Sequence, residues 1–327
     1  MSDDYQAYLE KRHARFQTPE EVVLAMASRA TGRQAVALDK IVRGNDNEVY
    51  IVSAEGGDQC VVRICRGGEV RPQAEAWAMQ QCAKAGVPVP TVHLVGRDDL
   101  DGQTVEFMVQ SRVPGRPLSE VIEELTGSEL ASVGRQAGEV LGKLHGIEVG
   151  GFYHLSQDGK WDFPTWRAVM DSAVRDRSAE KELILGAGFA EDEFAQMVEL
   201  LRQYRDGFDC PQPVLCHGDF LSEHIFVDSN LHITGVLDFG GHQGGHPVHD
   251  FAVLSMAGTR LKPTMLLPGY PDSPFLADRF EQRLLLHRLS LEMGYLAHHT
   301  RIGHHPEIAA NTHSLRETLD ALNPRGQ

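Results

Sequence analysis

Two acidic loops set between short apolar segments constrain this chain more than any other feature. The first reads His217-Gly218-Asp219-Phe220-Leu221-Ser222-Glu223-His224 and directly follows Val214-Leu215-Cys216. The second reads Asp238-Phe239-Gly240 and directly follows Gly235-Val236-Leu237. Between them, residues 225–227 and 232–237 have the length and apolar character of a short hairpin. A bare D-F-G is a weak signal, and two solvated surface turns would be the bland reading. A D-F-G placed after an H-x-D loop, with a hairpin between the two, is a strong one.

The chain changes character along its length. Short β-like runs occupy residues 35–38, 48–53, 60–65, 91–95 and 104–110. Ala54-Glu55-Gly56-Gly57-Asp58 marks a hairpin between two of them. Thr18-Pro19-Glu20-Glu21 reads as a capping box that opens a helix to about residue 30. A helix over about 69–85 stops at Gly86, with Pro88 and Pro90 beyond. After Leu118 the pattern is mostly helical, over 127–145, 165–177, 191–204, 278–298 and 306–322, and the 214–238 island is the one β-like interruption. Strands first and helices afterwards imply an α+β protein of two lobes. Arg112-Val113-Pro114-Gly115-Arg116-Pro117 reads as their connection, which gives an N-terminal lobe over 1–111 and a C-terminal lobe over 112–327.

Phosphoryl transfer asks little covalent chemistry of a protein but demands placement. One carboxylate orients the attacking hydroxyl or takes its proton, and another holds the Mg²⁺ that bridges the nucleotide phosphates. Protein kinases use H-R-D-x-x-x-x-N and D-F-G for these tasks. Here Asp219 stands at the catalytic position, Asp238 at the metal position, and His224 where the motif carries Asn.

With Leu141-Gly142-Lys143-Leu144-His145 and Gly245-His246-Pro247-Val248-His249-Asp250-Phe251-Ala252, these stretches resemble the aminoglycoside phosphotransferase family. That family is the small-molecule branch of the protein-kinase-like fold and includes macrolide and hygromycin phosphotransferases. The resemblance covers roughly residues 35–260. It implies a two-lobed kinase-like fold, with an antiparallel sheet and a helix in the N-lobe and a mostly helical C-lobe. It also implies transfer of the γ-phosphoryl group of ATP or GTP, with Mg²⁺, to a small-molecule hydroxyl.

The resemblance assigns further residues. Val42-Arg43-Gly44-Asn45-Asp46-Asn47-Glu48-Val49-Tyr50 matches the G-x-x-N-x-x-Y nucleotide loop, so Gly44 and Asn47 belong to the phosphate end; a plain hairpin is the alternative. Arg63 stands where protein kinases place a Lys, with Glu75 as its helix partner; an ordinary solvated pair is the alternative. Met108, Gln110 and Ser111 fall on the hinge that reads the base, although Met108 reads equally well as core. Asp250 braces the catalytic loop or caps a helix. His224 in place of Asn offers Mg²⁺ a nitrogen where an amide oxygen is usual, so it touches the metal, acts through water or holds the loop. His246 in place of the usual Asp reads as structural.

Charge narrows the partners. Lys plus Arg total 31 against 46 Asp plus Glu, a formal charge of −15, which argues against nucleic acid and is compatible with a cationic acceptor. An aminoglycoside-like antibiotic fits first, then a macrolide or a hydroxylated metabolite. A nucleotide-binding pseudokinase, supported by His224 and Arg63, is the reading from another class. A His-rich metalloprotein is a third, since 16 histidines are present, but no H-E-x-x-H or C-x-x-C accompanies them, and solvated or capping roles suit them better. Five cysteines without a C-x-x-C imply reduced thiols, and no secretory or membrane-spanning stretch is visible, so a cytoplasmic monomer or homodimer is expected.

Overall fold

The computed structural model describes residues 10–42, 47–66, 72–100, 102–156, 159–277 and 279–323. In chain order the first elements are α1 (Glu20–Thr31), β1 (Ala35–Ile41), β2 (Asn47–Ala54), β3 (Gln59–Cys65), α2 (Pro72–Lys84), β4 (Val92–Leu100), β5 (Gln103–Ser111) and β6 (Arg116–Pro117). Next come α3 (Gly127–His145), β7 (Phe152–Leu155), β8 (Trp161–Phe163), α4 (Trp166–Ala179), α5 (Lys181–Gly186), α6 (Glu191–Gly207) and β9 (Val214–Cys216). The chain closes with β10 (Ile225–Val227), β11 (Ile233–Val236), β12 (Gln243–Gly245), α7 (Val248–Met256), α8 (Pro263–Leu266), α9 (Pro274–Ala277), α10 (Phe280–Ile302) and α11 (His305–Leu322). Contacts divide it into two compact units, 1–117 with 225–240, and 118–224 with 241–327.

The first unit is built on an antiparallel five-stranded sheet in the order β1-β2-β3-β5-β4. Alternation sorts its side chains. Tyr50, Val52, Cys60, Val62, Ile64, Phe107 and Val109 join Val23 and Met26 of α1 in one buried cluster. The intervening positions, Asn47, Arg63, Met108 and Gln110, therefore share the opposite face, with Val49 opposite Arg63 and Arg63 opposite Met108 in the ladder. A second small sheet, β11-β10-β6, carries the hairpin that ends at Asp238. The close approach at Gly115 explains a residue without a side chain there: a Cβ would lie 2.2 Å from the Val227 carbonyl oxygen.

The expected capping box at Thr18 does not form. Pro19 precedes α1 without a side-chain cap, and the Thr18 hydroxyl instead donates to Glu48 at 2.7 Å. A buried carboxylate is the stronger attraction, because it must collect donors or lose its charge.

The second unit is mostly helical, but its strands are more than an isolated island. The sheet β8-β7-β12-β9 draws on segments on both sides of it. Strands of three or four residues with few β-branched side chains leave no readable alternation. α3 opens with a capping box, in which the Glu129 carboxylate accepts the Thr126 amide at 2.8 Å and the Glu129 amide donates to the Thr126 hydroxyl at 3.3 Å. Its Gly138 lets the chain at Leu266 come close, since a Cβ would lie 1.9 Å from the Leu266 carbonyl oxygen. Two cores fill this unit. One contains Ile184, Leu201, Met293, Leu296 and Leu315, and the other Phe152, Trp166, Tyr204 and Leu286.

Candidate active site

The second unit holds the H-G-D loop. β9 is buried throughout and delivers the chain into His217, which is 0% exposed. Gly218 follows at φ +82°, and a Cβ there would lie 1.9 Å from the Gly241 carbonyl oxygen, so only glycine fits. The amides of His217 and Gly218 donate to the two oxygens of Asp250, at 2.9 and 2.8 Å. Asp250 lies inside the first turn of α7 rather than at its cap, with its carboxylate turned to the loop. His145, at the end of α3, contacts the same carboxylate at 2.9 Å through Nε2 and the Tyr270 hydroxyl at 2.8 Å through Nδ1. Burial alone would raise the Asp250 pKa, but the hydrogen bond and charge of His145 with the neighbouring histidines outweigh it, and the value falls to about 2.

This clamp leaves Asp219 at the tip of the loop with its side chain 43% exposed. His224 Nδ1 stands 2.9 Å from the Asp219 carbonyl oxygen and 3.3 Å from its carboxylate. A carbonyl oxygen only accepts, so the proton is on Nδ1, and in the neutral ring the lone pair is on Nε2. His224 thus holds the loop that carries Asp219.

The first unit holds the other group. Arg63 on β3 is nearly buried and pairs with Glu75 of α2, itself 2% exposed. Its second nitrogen lies 3.5 Å from Asp238, whose side chain is half exposed. Burial would lower the Arg63 pKa, but the Glu75 and Asp238 carboxylates outweigh it and hold the guanidinium charged. Asp238 itself adopts φ +64°, an uncommon conformation for a residue with a side chain. Phe239 beside it is fully buried and anchors the turn.

Asn47, Arg63, Met108 and Gln110 share one sheet face, as shown by the register. Met108 is 1% exposed. The side-chain oxygens of Asn47 and Gln110 are buried without a hydrogen-bond partner, two acceptors on the face that carries Arg63. Ser111 stands apart from them: its hydroxyl accepts the Thr91 amide at 2.9 Å, and its own amide donates to Thr91 at 2.8 Å. Gly44 lies outside the described residues.

A metal such as Mg²⁺ and a nucleotide fit these donor sets. Asp238 offers hard carboxylate oxygens, and His224 offers one ring nitrogen, which Mg²⁺ favours less. The orphaned Gln110 oxygen, at the base end, provides an unused acceptor for a bound ligand's donors. Among the described residues, one group of three brings metal-ligating atoms within 4.8 Å of one another, namely His145, Cys216 and Asp250. All three are buried, and the Asp250 oxygens are already taken by the loop amides, so the group serves the clamp.

Three features escaped the sequence. Glu48 is fully buried and receives Lys40 at 2.9 Å, Arg66 at 2.9 Å and the Thr18 hydroxyl. Burial would raise its pKa, but these donors and Tyr50 lower it to about 2. Its only sequence signal was a Glu inside an apolar strand. His242 is buried rather than solvated, and His249 bonds His287 at 3.0 Å, while His246, read as structural, is buried and accepts the Val248 amide at 3.0 Å at the start of α7. Burial keeps His246 neutral, with a pKa of about 3.

The family model described as the phosphotransferase enzyme family matches residues 38–285. No curated protein matches the chain. Several solved structures are similar. A thermostable mutant of aminoglycoside phosphotransferase APH(4)-Ia, in ternary complex with ADP and hygromycin B, is 18% identical with a TM-score of 0.69, over 93% of this chain and 99% of that one. A Thermobifida fusca protein assigned as a fructosamine-3-kinase is 20% identical with a TM-score of 0.66, over 94% of this chain and all of that one. The wild-type aminoglycoside 2'-phosphotransferase-IIIa, as its GDP complex, is 16% identical with a TM-score of 0.63, over 93% and 99%. At these identities the likeness establishes the fold: α+β and protein-kinase-like, with an antiparallel sheet and a mostly helical unit. Among the described residues no helix is long and apolar enough to cross a membrane.

Proposed function

The chain belongs to the phosphotransferase enzyme family, and we propose that it moves the γ-phosphoryl group of ATP or GTP to a hydroxyl of an aminoglycoside-like small molecule. The observation that carries this reading is the H-G-D loop, clamped by Asp250 through two main-chain amides so that Asp219 is presented half exposed. Asp219 orients the acceptor hydroxyl and takes its proton. The hydroxyl oxygen attacks the γ-phosphorus, the bond to the β,γ-bridging oxygen breaks, and the electron pair leaves with the nucleoside diphosphate. Arg63, held by Glu75, steadies the phosphates. Asp238, with His224, would hold Mg²⁺, which would supply charge to offset that developing on the phosphates. Asn47 and Gly44 serve the phosphate end, while Met108 and Gln110 serve the base; the Ser111 amide and hydroxyl are already engaged by Thr91.

The net charge of −15 supports a cationic acceptor, and the aminoglycoside-binding structures share the fold. A glycated-amine metabolite is the second reading, supported by the likeness to the assigned fructosamine-3-kinase. The test is Mg²⁺-dependent nucleotide turnover with aminoglycosides, hygromycin B, macrolides and sugar-amine metabolites, using ATP and GTP. Stimulation by one class identifies the acceptor. Asp219→Asn is expected to lose about 10²–10⁴ in kcat, and a loss under tenfold would remove the base role. Nucleotide binding without turnover against any acceptor would favour a pseudokinase.

A further inference from the structure

The second unit presents two tyrosines to solvent, Tyr153 at 38% and Tyr295 at 43%, while Tyr204 and Tyr270 in the same unit are buried. Tyr153 adopts φ +64°, a left-handed conformation that a bulky residue rarely takes, and strain of this kind concentrates where a side chain must be aimed. Its neighbours leave little room to relax. Tyr153 pairs with Gly244 of β12, where a Cβ would lie 2.0 Å from the Gly151 carbonyl oxygen.

The same strands lead to the catalytic loop. Gln243 of β12 pairs with Cys216, the residue before His217-Gly218-Asp219. Tyr153, Trp166, Gln243, Ser290 and Leu291 line one narrow cavity of about 30 Å³, and no carboxylate lines it. Tyr295 follows Leu291 by four residues on α10, one turn along the same helix face. Partial burial raises the pKa of the Tyr295 hydroxyl, and the Asp219 carboxylate and Tyr153 add to it. One more group points to a ligand: the indole N–H of Trp166, a residue only 4% exposed, has no hydrogen-bond partner.

We propose that Tyr153 and Tyr295 form the acceptor platform. The sugar or cyclitol ring that bears the reacting hydroxyl lies against the two phenol rings, and an uncharged oxygen of that ring accepts from the Trp166 indole. Aromatic walls with a few placed polar groups are the usual means of holding an amphipathic ring in one orientation. This rests on the phosphotransferase reading above and adds to it what kind of surface the acceptor must present.

The test uses the full chain with hygromycin B, kanamycin and fructosyl-lysine as probes, and ATP as donor. Tyr153→Ala and Tyr295→Ala are expected to raise the acceptor KM at least tenfold and to change the ATP KM less than threefold. Tyr153→Phe and Tyr295→Phe, which keep the rings, should stay within threefold on both. Tyr295 is a surface position on a long helix, so its variants carry the test if Tyr153→Ala fails to fold. Acceptor KM values within twofold of wild type in the Ala variants overturn the platform. Asp219-dependent ATP hydrolysis that no ring probe stimulates overturns it also, while leaving the phosphotransferase reading in place. ATP hydrolysis unaffected by Asp219→Asn would instead remove that reading, and the platform with it.

Discussion

The Gly218 amide donates to Asp250 Oδ1 at 2.8 Å, across a sequence separation of 32 residues. Through this bond a side chain on α7 fixes the main chain next to Asp219. The other Asp250 oxygen accepts the His217 amide and contacts His145, so one carboxylate ties α3, α7 and the loop together. The loop is thus held through its main chain by Asp250, and Asp219 lies beside His224 with its carboxylate 43% exposed.

Asp250→Ala should therefore damage both stability and rate. It would leave the buried His217 amide and the half-buried Gly218 amide unsatisfied, at about 1–3 kcal/mol each for full burial and less for Gly218. Denaturant unfolding should show a loss of about 2–5 kcal/mol, and surviving enzyme should show a reduced kcat with a nearly unchanged nucleotide KM. A variant within about 0.5 kcal/mol of wild type would contradict the clamp.

Acid sensitivity follows from two depressed carboxylates. Glu48 moves from an ordinary 4.5 to about 2, and Asp250 from 3.8 to about 2. Both folded values lie below the unfolded ones, so their stabilisation is complete above about pH 4.5 and is lost as pH falls toward 2. For Glu48 the shift corresponds to at most about 3 kcal/mol. Glu48→Gln should flatten the stability profile between pH 4.5 and 2 in urea melts across pH, and an unaltered slope would refute it.

Much of this was legible in the sequence. The five sheet strands were readable as β-like runs, α1 from Pro19 and the acidic residues that open it, although the capping box expected at Thr18 does not form, and α2 from Gly86 and the prolines that follow its end. The order H-G-D, hairpin, D-F-G put Asp219 and Asp238 on loops that follow short strands, and the structure has them there. The strands β7, β8 and β12 were not readable. Each has only three or four residues, β12 is mostly glycine at Gly244 and Gly245, and the pairing comes from partners far along the chain. Glu48 was invisible for another reason. Its burial depends on Lys40, Arg66 and Thr18 converging from three separate segments, which no local pattern records.

Gly218→Ala tests the loop's conformation directly. The residue sits at φ +82°, with the Gly241 carbonyl 1.9 Å from where a Cβ would go. The backbone term costs about 1–2 kcal/mol and the clash adds to it. The expected result is a stability loss of at least about 2 kcal/mol with kcat reduced a hundredfold or more. Normal activity would mean the loop can adopt another path.

Arg63 and Glu75 form a nearly buried pair, and removing one partner strands the other. Glu75→Ala should cost about 3–5 kcal/mol, the range for breaking a buried pair. Arg63→Lys is not conservative here, because a lysine cannot reach Glu75 and Asp238 with a planar fork. It should raise the nucleotide KM about tenfold while leaving the acceptor KM unchanged. Equal effects on both would argue that Arg63 is a packing residue.

His224 makes the most specific prediction, since two roles meet in one ring. Its Nδ1–H holds the Asp219 carbonyl at 2.9 Å, and its Nε2 carries the lone pair a metal needs. His224→Ala removes both, so kcat should fall and the Mg²⁺ concentration at half-maximal rate should rise about 10-fold or more, the usual consequence of losing an outer metal contact or ligand. His224→Asn restores a hard oxygen and an amide donor at the same place and should recover most of the Mg²⁺ response. A Mg²⁺ titration of both variants separates the roles. If His224→Ala lowers kcat while the Mg²⁺ dependence stays as in wild type, His224 only holds the loop, and Asp238 carries the metal without it.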